Sequence, residues 1–278
     1  MEVPNREILH RYLRHAKKFP HIWCPGCGNG IVLGALLRAI HGLGWKNDDV
    51  VLVSGIGCSS RAPVYVDFNT LHTVHGRALA FATGIKLAKP RLNVTAIMGD
   101  GDAVGIGGNH FIHACRRNID VTAIVVNNFI YAMTGGQQSP ATPTGARTAT
   151  SVRGALDQPF DIARLASAAG ATFVARSTTY HVRELEAILG KAFAHRGFSM
   201  VEVIAACPTC YGRRNELGGP VEMMRWQKEA AIPAAQAASL SPEELRGRIV
   251  IGVLLEREAP EYTTEYARVR EAAMGDRG

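Results

Sequence analysis

The sequence predicts an α/β protein built on an open, mostly parallel sheet with helices on both faces, and three observations lead there. Short, predominantly apolar runs at 50–54, 93–98, 121–126 and 199–205 have the length and branching of strands buried on both sides. Between them lie segments whose apolar residues recur at helical spacing. Each run ends in a cluster of Gly, Cys, Asp or Asn, so the chemistry gathers past the C-terminal ends of strands, where open α/β sheets bind ligands. The 278 residues and 47% apolar content suffice for a large core.

In chain order, residues 1–20 are basic and weakly amphipathic, a short helix with a lead-in. Residues 21–30 (HIWCPGCGNG) form a Gly/Cys loop. Ile31, Leu33, Leu36, Leu37 and Ile40 then recur at helical spacing until Gly42 and Gly44 end the helix. Strand 50–54 runs into Gly55-Ile56-Gly57-Cys58-Ser59-Ser60. Beyond 64–71 comes His72-Thr73-Val74-His75-Gly76-Arg77, then a helix rich in small residues through Lys86, closed by Pro90. Strand 93–98 ends in Gly99-Asp100-Gly101-Asp102, a helix covers about 105–117, and strand 121–126 ends in Asn127-Asn128. A Gly-, Thr- and Pro-rich loop then runs to about Pro159, a length uncommon without a function. Helices at 160–169 and 182–194 bracket a strand at 172–175. The last core strand, 199–205, leads to Cys207-Pro208-Thr209-Cys210. From Tyr211 the pattern weakens: an Ala-rich segment, a helix start at Ser241-Pro242-Glu243-Glu244 capped by Ser241, a short strand at 249–254, and a charged tail.

A net charge of +7 invites a nucleic-acid reading. The cations are scattered, however: Arg11, Arg14, Lys17 and Lys18, then Arg116-Arg117, then Arg213-Arg214, with no aromatic-interleaved basic stripe. No nucleic-acid partner is expected, and the basic surface suits anionic substrates, an acidic electron acceptor or an acidic partner subunit. No apolar run approaches the ~18 residues a membrane span needs, and the N-terminus lacks a continuous apolar signal segment, so the expectation is a cytoplasmic protein without a membrane.

The six cysteines are Cys24, Cys27, Cys58, Cys115, Cys207 and Cys210. In a cytosolic chain of this size Cys-x-x-Cys points to metal or redox chemistry rather than a disulfide framework. Cys24 and Cys27, with Cys58 and Cys207 each just past a strand, make four ligands if three loops meet. From the cysteines alone, structural zinc and an iron-sulfur cluster stand level. Cys115, inside a helix, reads as a small core residue.

Asp100 and the Asn127-Asn128 pair read as a Mg-diphosphate clamp. Mg²⁺ takes oxygen ligands and is held by one or two carboxylates beside substrate phosphates. Asp100 supplies the carboxylate, and Gly101 lets a diphosphate approach the backbone. The Asn128 amide oxygen and a main-chain carbonyl just beyond close the shell from the neighbouring strand.

This constellation resembles the thiamine diphosphate motif of thiamine-dependent enzymes, which places Mg²⁺ on Asp100, Asn128 and the main-chain oxygen of Ile130. Tyr131-Ala132-Met133-Thr134-Gly135-Gly136-Gln137 and Ser139-Pro140-Ala141-Thr142-Pro143 are similar to one branch of that group, the β subunits of 2-oxoacid:ferredoxin oxidoreductases. The resemblance runs from about Trp23 to Asn215. It implies a thiamine diphosphate-binding fold, with 1–215 holding thiamine diphosphate and a 4Fe-4S cluster. A C-terminal extension, 216–278, would pack on the core or on a partner.

The resemblance further implies Cys24, Cys27, Cys58 and Cys207 as cluster ligands, with Cys210 spare, and Ile56, Gly57, Cys58, Ser59, His75, Asp100, Gly101, Asn128, Ile130, Ala132 and Met133 around the cofactor. His75 is the candidate donor to phosphate or to the reacting adduct. Arg61 and Arg77 could each read a substrate carboxylate bidentately, and for the second carboxylate of a dicarboxylate Arg61 and an Arg of the partner subunit stand level. His110 and His113 are left as structural, and His72 stands open between a structural and a functional histidine. Where some relatives have Lys, this chain has Gly135, so that cation is missing.

The reaction implied is oxidative decarboxylation of a 2-oxoacid with CoA, giving acyl-CoA, CO₂ and reduced ferredoxin, active only with a larger α subunit. Residues 23–30, 55–58, 107–113 and 116–120 are most similar to subunits acting on 2-oxoglutarate. Pyruvate and branched-chain 2-oxoacids are the alternatives within the class. A zinc-stabilised, non-catalytic diphosphate-binding subunit is the alternative outside it.

Overall fold

A computed structural model describes residues 5–15 and 20–275; Lys17 and Lys18 of the basic lead-in lie outside them. The strands are β1 (Val50–Ser54), β2 (Asn69–His72), β3 (Asn93–Gly99), β4 (Thr122–Asn127), β5 (Ile130–Tyr131), β6 (Gln137–Gln138), β7 (Phe173–Thr178), β8 (Ser199–Ile204), β9 (Ala231–Pro233) and β10 (Ile249–Glu256). The helices are α1 (Asn5–Tyr12), α2 (Asn29–Gly42), α3 (Ala78–Ala88), α4 (Gly108–Arg117), α5 (Ile162–Ala168), α6 (Val182–Ala194), α7 (Pro220–Ala230), α8 (Ala234–Ala237) and α9 (Tyr262–Gly275).

One eight-stranded sheet has the order β2-β1-β3-β4-β8-β7-β10-β9. The pairings from β2 through β7 are all parallel. β10 joins antiparallel to β7, and β9 pairs parallel with β10 at the edge. The chain moves outward from β1 to β2 and then returns to lay β3 on the other side of β1. The crevice past β1 and β3 is therefore a topological switch point, the place where such sheets take ligands.

Alternation along each strand builds two cores, one on each face. Val50, Leu52, Ile97, Ile124, Val126, Val201 and Val203 pack with α1, α2 and α6. Val51, Val53, Ala96, Met98, Ala123, Val125 and Met200 pack with α3, α4 and α5. Strands covered on both faces favour apolar residues at most positions, which is why they read as near-continuous runs.

β1 and α6 have the bounds the sequence predicts. The helix expected from about 105 starts later, because Gly101–Ile106 forms a wide, π-like turn broken at Gly105 (φ −83, ψ −109). The helix expected after Ser241 does not form. Its capping bonds exist, Ser241 N to Glu244 Oε2 at 2.8 Å and Glu244 N to Ser241 Oγ at 3.3 Å. The segment is mostly exposed and reaches Gly247 at φ +76, so no packed face propagates that first turn. α7 and α9 stand where the sequence showed only weak pattern and a charged tail. Glu261 caps α9, accepting from Thr263 N at 2.7 Å and Thr264 N at 2.9 Å. Among the described residues no helix is long and apolar enough to cross a membrane.

Candidate functional site

The ends of β1, β3 and β4 surround a cavity of about 190 Å³. Ile56, Gly57, Cys58, Ser59, His75, Asp100, Gly101, Asn128, Ile130, Ala132 and Met133 all line it, with Asn29, Asp102, Tyr131 and Thr134 beside them. A larger open groove of about 1140 Å³ runs between α2 and α6. It touches none of the candidate residues, so chemistry rather than size selects the smaller cavity.

Asp100 ends β3 fully buried, and burial pushes its carboxyl up to about 7 against the hydrogen bond from Ser139 and nearby backbone N–H groups. Ser139 Oγ donates to Asp100 Oδ2 at 2.5 Å. Gly101 is required by packing, since a Cβ there would lie 2.0 Å from Tyr131 Cε1. Tyr131 Oη in turn donates to Gly101 O at 3.1 Å.

Past β4 the chain turns at Phe129, whose φ is +65. Asn127 Oδ1 accepts from Phe129 N at 3.1 Å, and Asn128 Oδ1 accepts from Ile130 N at 3.3 Å. Asn127 is itself held from below, its Nδ2 donating to Glu202 Oε1 at 2.8 Å. Glu202 also accepts from Arg176 Nε at 2.7 Å.

The cysteine loops meet. Gly28 N donates to Ala206 O at 3.2 Å, joining the first pair to the Cys207 loop. Trp23 Nε1 donates to Cys58 O at 2.7 Å. Burial pushes the Cys58 thiol up to about 12, and the nearby Cys27, Cys207, Cys24 and Cys210 push in the same direction. The Cys207 thiol is pushed up to about 11, first by burial and also by Cys210 and Cys27. Asn29 Nδ2 lies 3.2 Å from Cys27 Sγ as a donor. Cys210 donates to Ala132 O at 3.5 Å, so it sits between the thiol group and the cavity wall. Cys115 is buried in α4. Among the described residues no three His, Cys, Asp or Glu side chains close on a single metal ion.

His75 Nδ1 meets Asp102 Oδ1 at 2.8 Å. Arg61, expected at the substrate, does not line the cavity; it lies in the tight turn Ser59–Val64 with its Nε buried and without a hydrogen-bond partner. Arg77 is also outside the cavity wall, its Nη1 meeting His110 Nε2 at 2.5 Å. His72 Nδ1 pairs with Ser54 Oγ at 3.0 Å. Sequence reasoning missed Ser139 and Asp102 as members of the site. Both stand inside stretches the sequence singles out, 99–102 and 139–143, but nothing in those stretches assigned either a role.

Fold and site together define a thiamine diphosphate-binding domain: the family "Thiamine pyrophosphate enzyme, C-terminal TPP binding domain" matches residues 49–203. The 2-oxoglutarate synthase subunit KorB of Methanothermobacter thermautotrophicus is 51% identical over 265 residues, 95% of this chain and 92% of that one. The subunit of the same name from Archaeoglobus fulgidus is 62% identical over 198 residues, 71% of this chain and 73% of the relative. Among solved structures, the 2-oxoglutarate:ferredoxin oxidoreductase from Magnetococcus marinus, with 2-oxoglutarate, coenzyme A and succinyl-CoA bound, superposes with a TM-score of 0.85. It is 31% identical, covering 95% of this chain and 90% of that chain. The chain belongs to the 2-oxoacid:ferredoxin oxidoreductase β subunits of the 2-oxoglutarate synthase (KorB) type.

Proposed function

We propose that this chain is the subunit of a 2-oxoglutarate:ferredoxin oxidoreductase that holds Mg²⁺-thiamine diphosphate and a 4Fe-4S cluster side by side, converting 2-oxoglutarate and CoA to succinyl-CoA and CO₂ and passing electrons to ferredoxin. One observation carries the reading: Cys58 stands in the wall of the cavity that Asp100 and Asn128 line, and its thiol shares a neighbourhood with Cys24, Cys27 and Cys207.

The cavity suits the cofactor. Ser59 Oγ and Asp102 Oδ2 are buried without partners in its wall. Gly57, at φ +132, has open space where a Cβ would stand. Asp100, the Asn128 amide oxygen and the Ile130 carbonyl form an all-oxygen set that would hold Mg²⁺. When bound, thiamine diphosphate supplies the electron sink for decarboxylation. The chain's own task is to position it: Ser139 and the backbone fix Asp100, Glu202 fixes Asn127, and Gly101 admits Tyr131.

For the thiols, the iron-sulfur reading is supported by the family resemblance and by the shared neighbourhood of Cys24, Cys27, Cys58 and Cys207. When present the cluster supplies one-electron acceptance beside the cavity. Unpaired cysteines suit a reducing, cytoplasmic compartment. Among the described residues no Lys or Arg lines the cavity. The cation that a second substrate carboxylate needs therefore comes from the partner subunit in this reading, and not from Arg61.

The test is the anaerobically purified complex with its partner subunit. Iron, sulfide and thiamine near stoichiometric, with kcat/KM for 2-oxoglutarate above that for pyruvate, are expected. Stoichiometric zinc in place of iron overturns the cluster assignment. A preference for pyruvate or a branched-chain 2-oxoacid overturns the substrate assignment alone.

A further inference from the structure

Asp102 is not among the residues proposed to hold the metal, yet two segments converge on it. The residue is 2% exposed. Its Oδ1 accepts from His75 Nδ1 at 2.8 Å, Gly76 N at 2.7 Å and Ile56 N at 3.4 Å. Its other oxygen packs against Gly55, where a Cβ would come within 2.1 Å of Oδ2. One carboxylate thus ties the end of β1 and the His75-Gly76 turn to the wide turn that follows Asp100.

A carboxylate oxygen accepts and cannot donate. Opposite it, Nδ1 of a neutral imidazole carries the ring proton, and Nε2 is left with its lone pair. The ring lines the cavity, and its side chain is 35% exposed. Tyr131 stands edge-on to it with centroids 5.9 Å apart. Nε2 has no hydrogen-bond partner among the described residues.

We propose that Asp102 is a positioning residue for His75, holding the imidazole in its Nδ1–H tautomer so that Nε2 faces the cavity as a hydrogen-bond acceptor. The donor it would meet is a hydroxyl, an amino group or a protonated phosphate of the bound cofactor or substrate. That ligand rests on the thiamine reading; the tautomer does not. The assignment also refines the role expected from the sequence, since neutral His75 accepts at this atom rather than donating.

Ring-nitrogen NMR of the full chain labelled with ¹⁵N-histidine reads the tautomer directly, at a pH of about 8.5 where a histidine of ordinary pKa is neutral. The His75 signals are identified by their loss in His75→Gln. The native chain is expected to show a pyrrole-type Nδ1 and a pyridine-type Nε2. Asp102→Asn can keep an acceptor oxygen at the Oδ1 position and is expected to preserve that pattern. Asp102→Ala is expected to lose it, and Gly55→Ala to perturb it by displacing the carboxylate from the opposite side. In calorimetry Asp102→Ala is expected to bind thiamine diphosphate about tenfold more weakly, and Asp102→Asn to lose less, the scale of one hydrogen bond. An Nε2–H ring in the native chain overturns the proposal, as does an unaltered Nδ1–H ring in Asp102→Ala. A native chain that shows the Nδ1–H ring but binds no thiamine diphosphate supports the tautomer and removes the cofactor reading.

Discussion

Ser139 Oγ reaches back across 39 positions to donate to Asp100 Oδ2 at 2.5 Å, so the long loop after β4 closes over the end of β3. Thr142 holds that closure in place: its hydroxyl donates to Phe129 O at 2.6 Å and accepts from Ser139 N at 2.9 Å. The loop is therefore part of the site it covers, and the carboxylate beneath it is shut away from water.

A pH dependence follows from that burial. The Asp100 carboxyl is raised from 3.8 to about 7 in the folded, metal-free chain. Between those values the folded form holds a proton that the unfolded form has released, so this group's contribution to stability falls as pH rises through the window. The full effect, reached above about 7, is on the order of 4 kcal/mol. Thermal melts of the metal-free chain are expected to show wild type losing stability relative to Asp100→Asn from pH 4 to pH 7. Mg²⁺ with thiamine diphosphate is expected to reverse the order above pH 7, because the ion favours the ionised carboxylate. Asp100→Asn should also abolish Mg-dependent cofactor binding in calorimetry, and unchanged affinity would sink the clamp assignment.

The thiols give a second expected result. Serine at Cys24, Cys27, Cys58 or Cys207 is expected to strip or degrade the cluster, measured as iron and sulfide per chain. Cys115, buried in α4, is the clean control. Cys210 is a closer one, because it faces Ala132 O and lies within electrostatic reach of Cys58 and Cys207. Its serine variant is expected to retain the iron. An equal loss at Cys210 would mean that the fourth ligand had been misassigned within the same loop.

How much of this was legible in the sequence follows from where each residue stands. Asp100, Asn128 and Cys58 lie immediately past buried strands, and a parallel sheet brings all such ends to one edge, so strand recognition alone gathers them. Ser139 joins the site only through the return of a long loop, and Asp102 through a wide turn, neither of which any periodicity encodes. Arg61 is the opposite case: its guanidinium suits a substrate carboxylate by chemistry, but the turn Ser59–Val64 places it outside the cavity wall. The capping signal at Ser241 was real and its hydrogen bonds exist, yet a helix also needs a face to bury.

Glu202 is expected to matter for both stability and cofactor binding. It is 2% exposed and bridges Arg176 and Asn127 under the turn that presents Asn128. Glu202→Ala leaves Arg176 with only Asp161, at 2.6 Å, and frees Asn127. Denaturant unfolding is expected to show a loss of about 3 kcal/mol, the scale of breaking a buried ion pair. Mg-thiamine diphosphate binding is expected to weaken in the same variant, while Glu202→Gln, which can still accept from Asn127, should keep most of the affinity. Wild-type affinity in a folded Glu202→Ala chain would show that Asn127 needs no anchor.

The chain without its partner subunit is expected to be inactive, and the cavity shows why. Thiamine catalysis of the kind the resemblance implies needs a carboxylate hydrogen-bonded to the aminopyrimidine ring. Among the described residues, the only carboxylates in the cavity wall are Asp100 and Asp102. Asp100 is committed to the metal in this reading and already accepts from Ser139. Asp102 is engaged with His75, Gly76 and Ile56. In this reading the third carboxylate arrives on another chain. Several large apolar side chains on or near the same edge are open to receive one: Ile56 is 40% exposed, Met133 47%, Ile106 53% and Val74 64%. Reduction of ferredoxin by the single chain is expected to fall below that of the reconstituted complex by a factor on the order of 10²–10⁴, the scale of one general acid–base group. Titrating in the partner should restore it with saturation at a fixed subunit ratio. Full turnover by the isolated chain would mean that one of these two aspartates serves the ring instead.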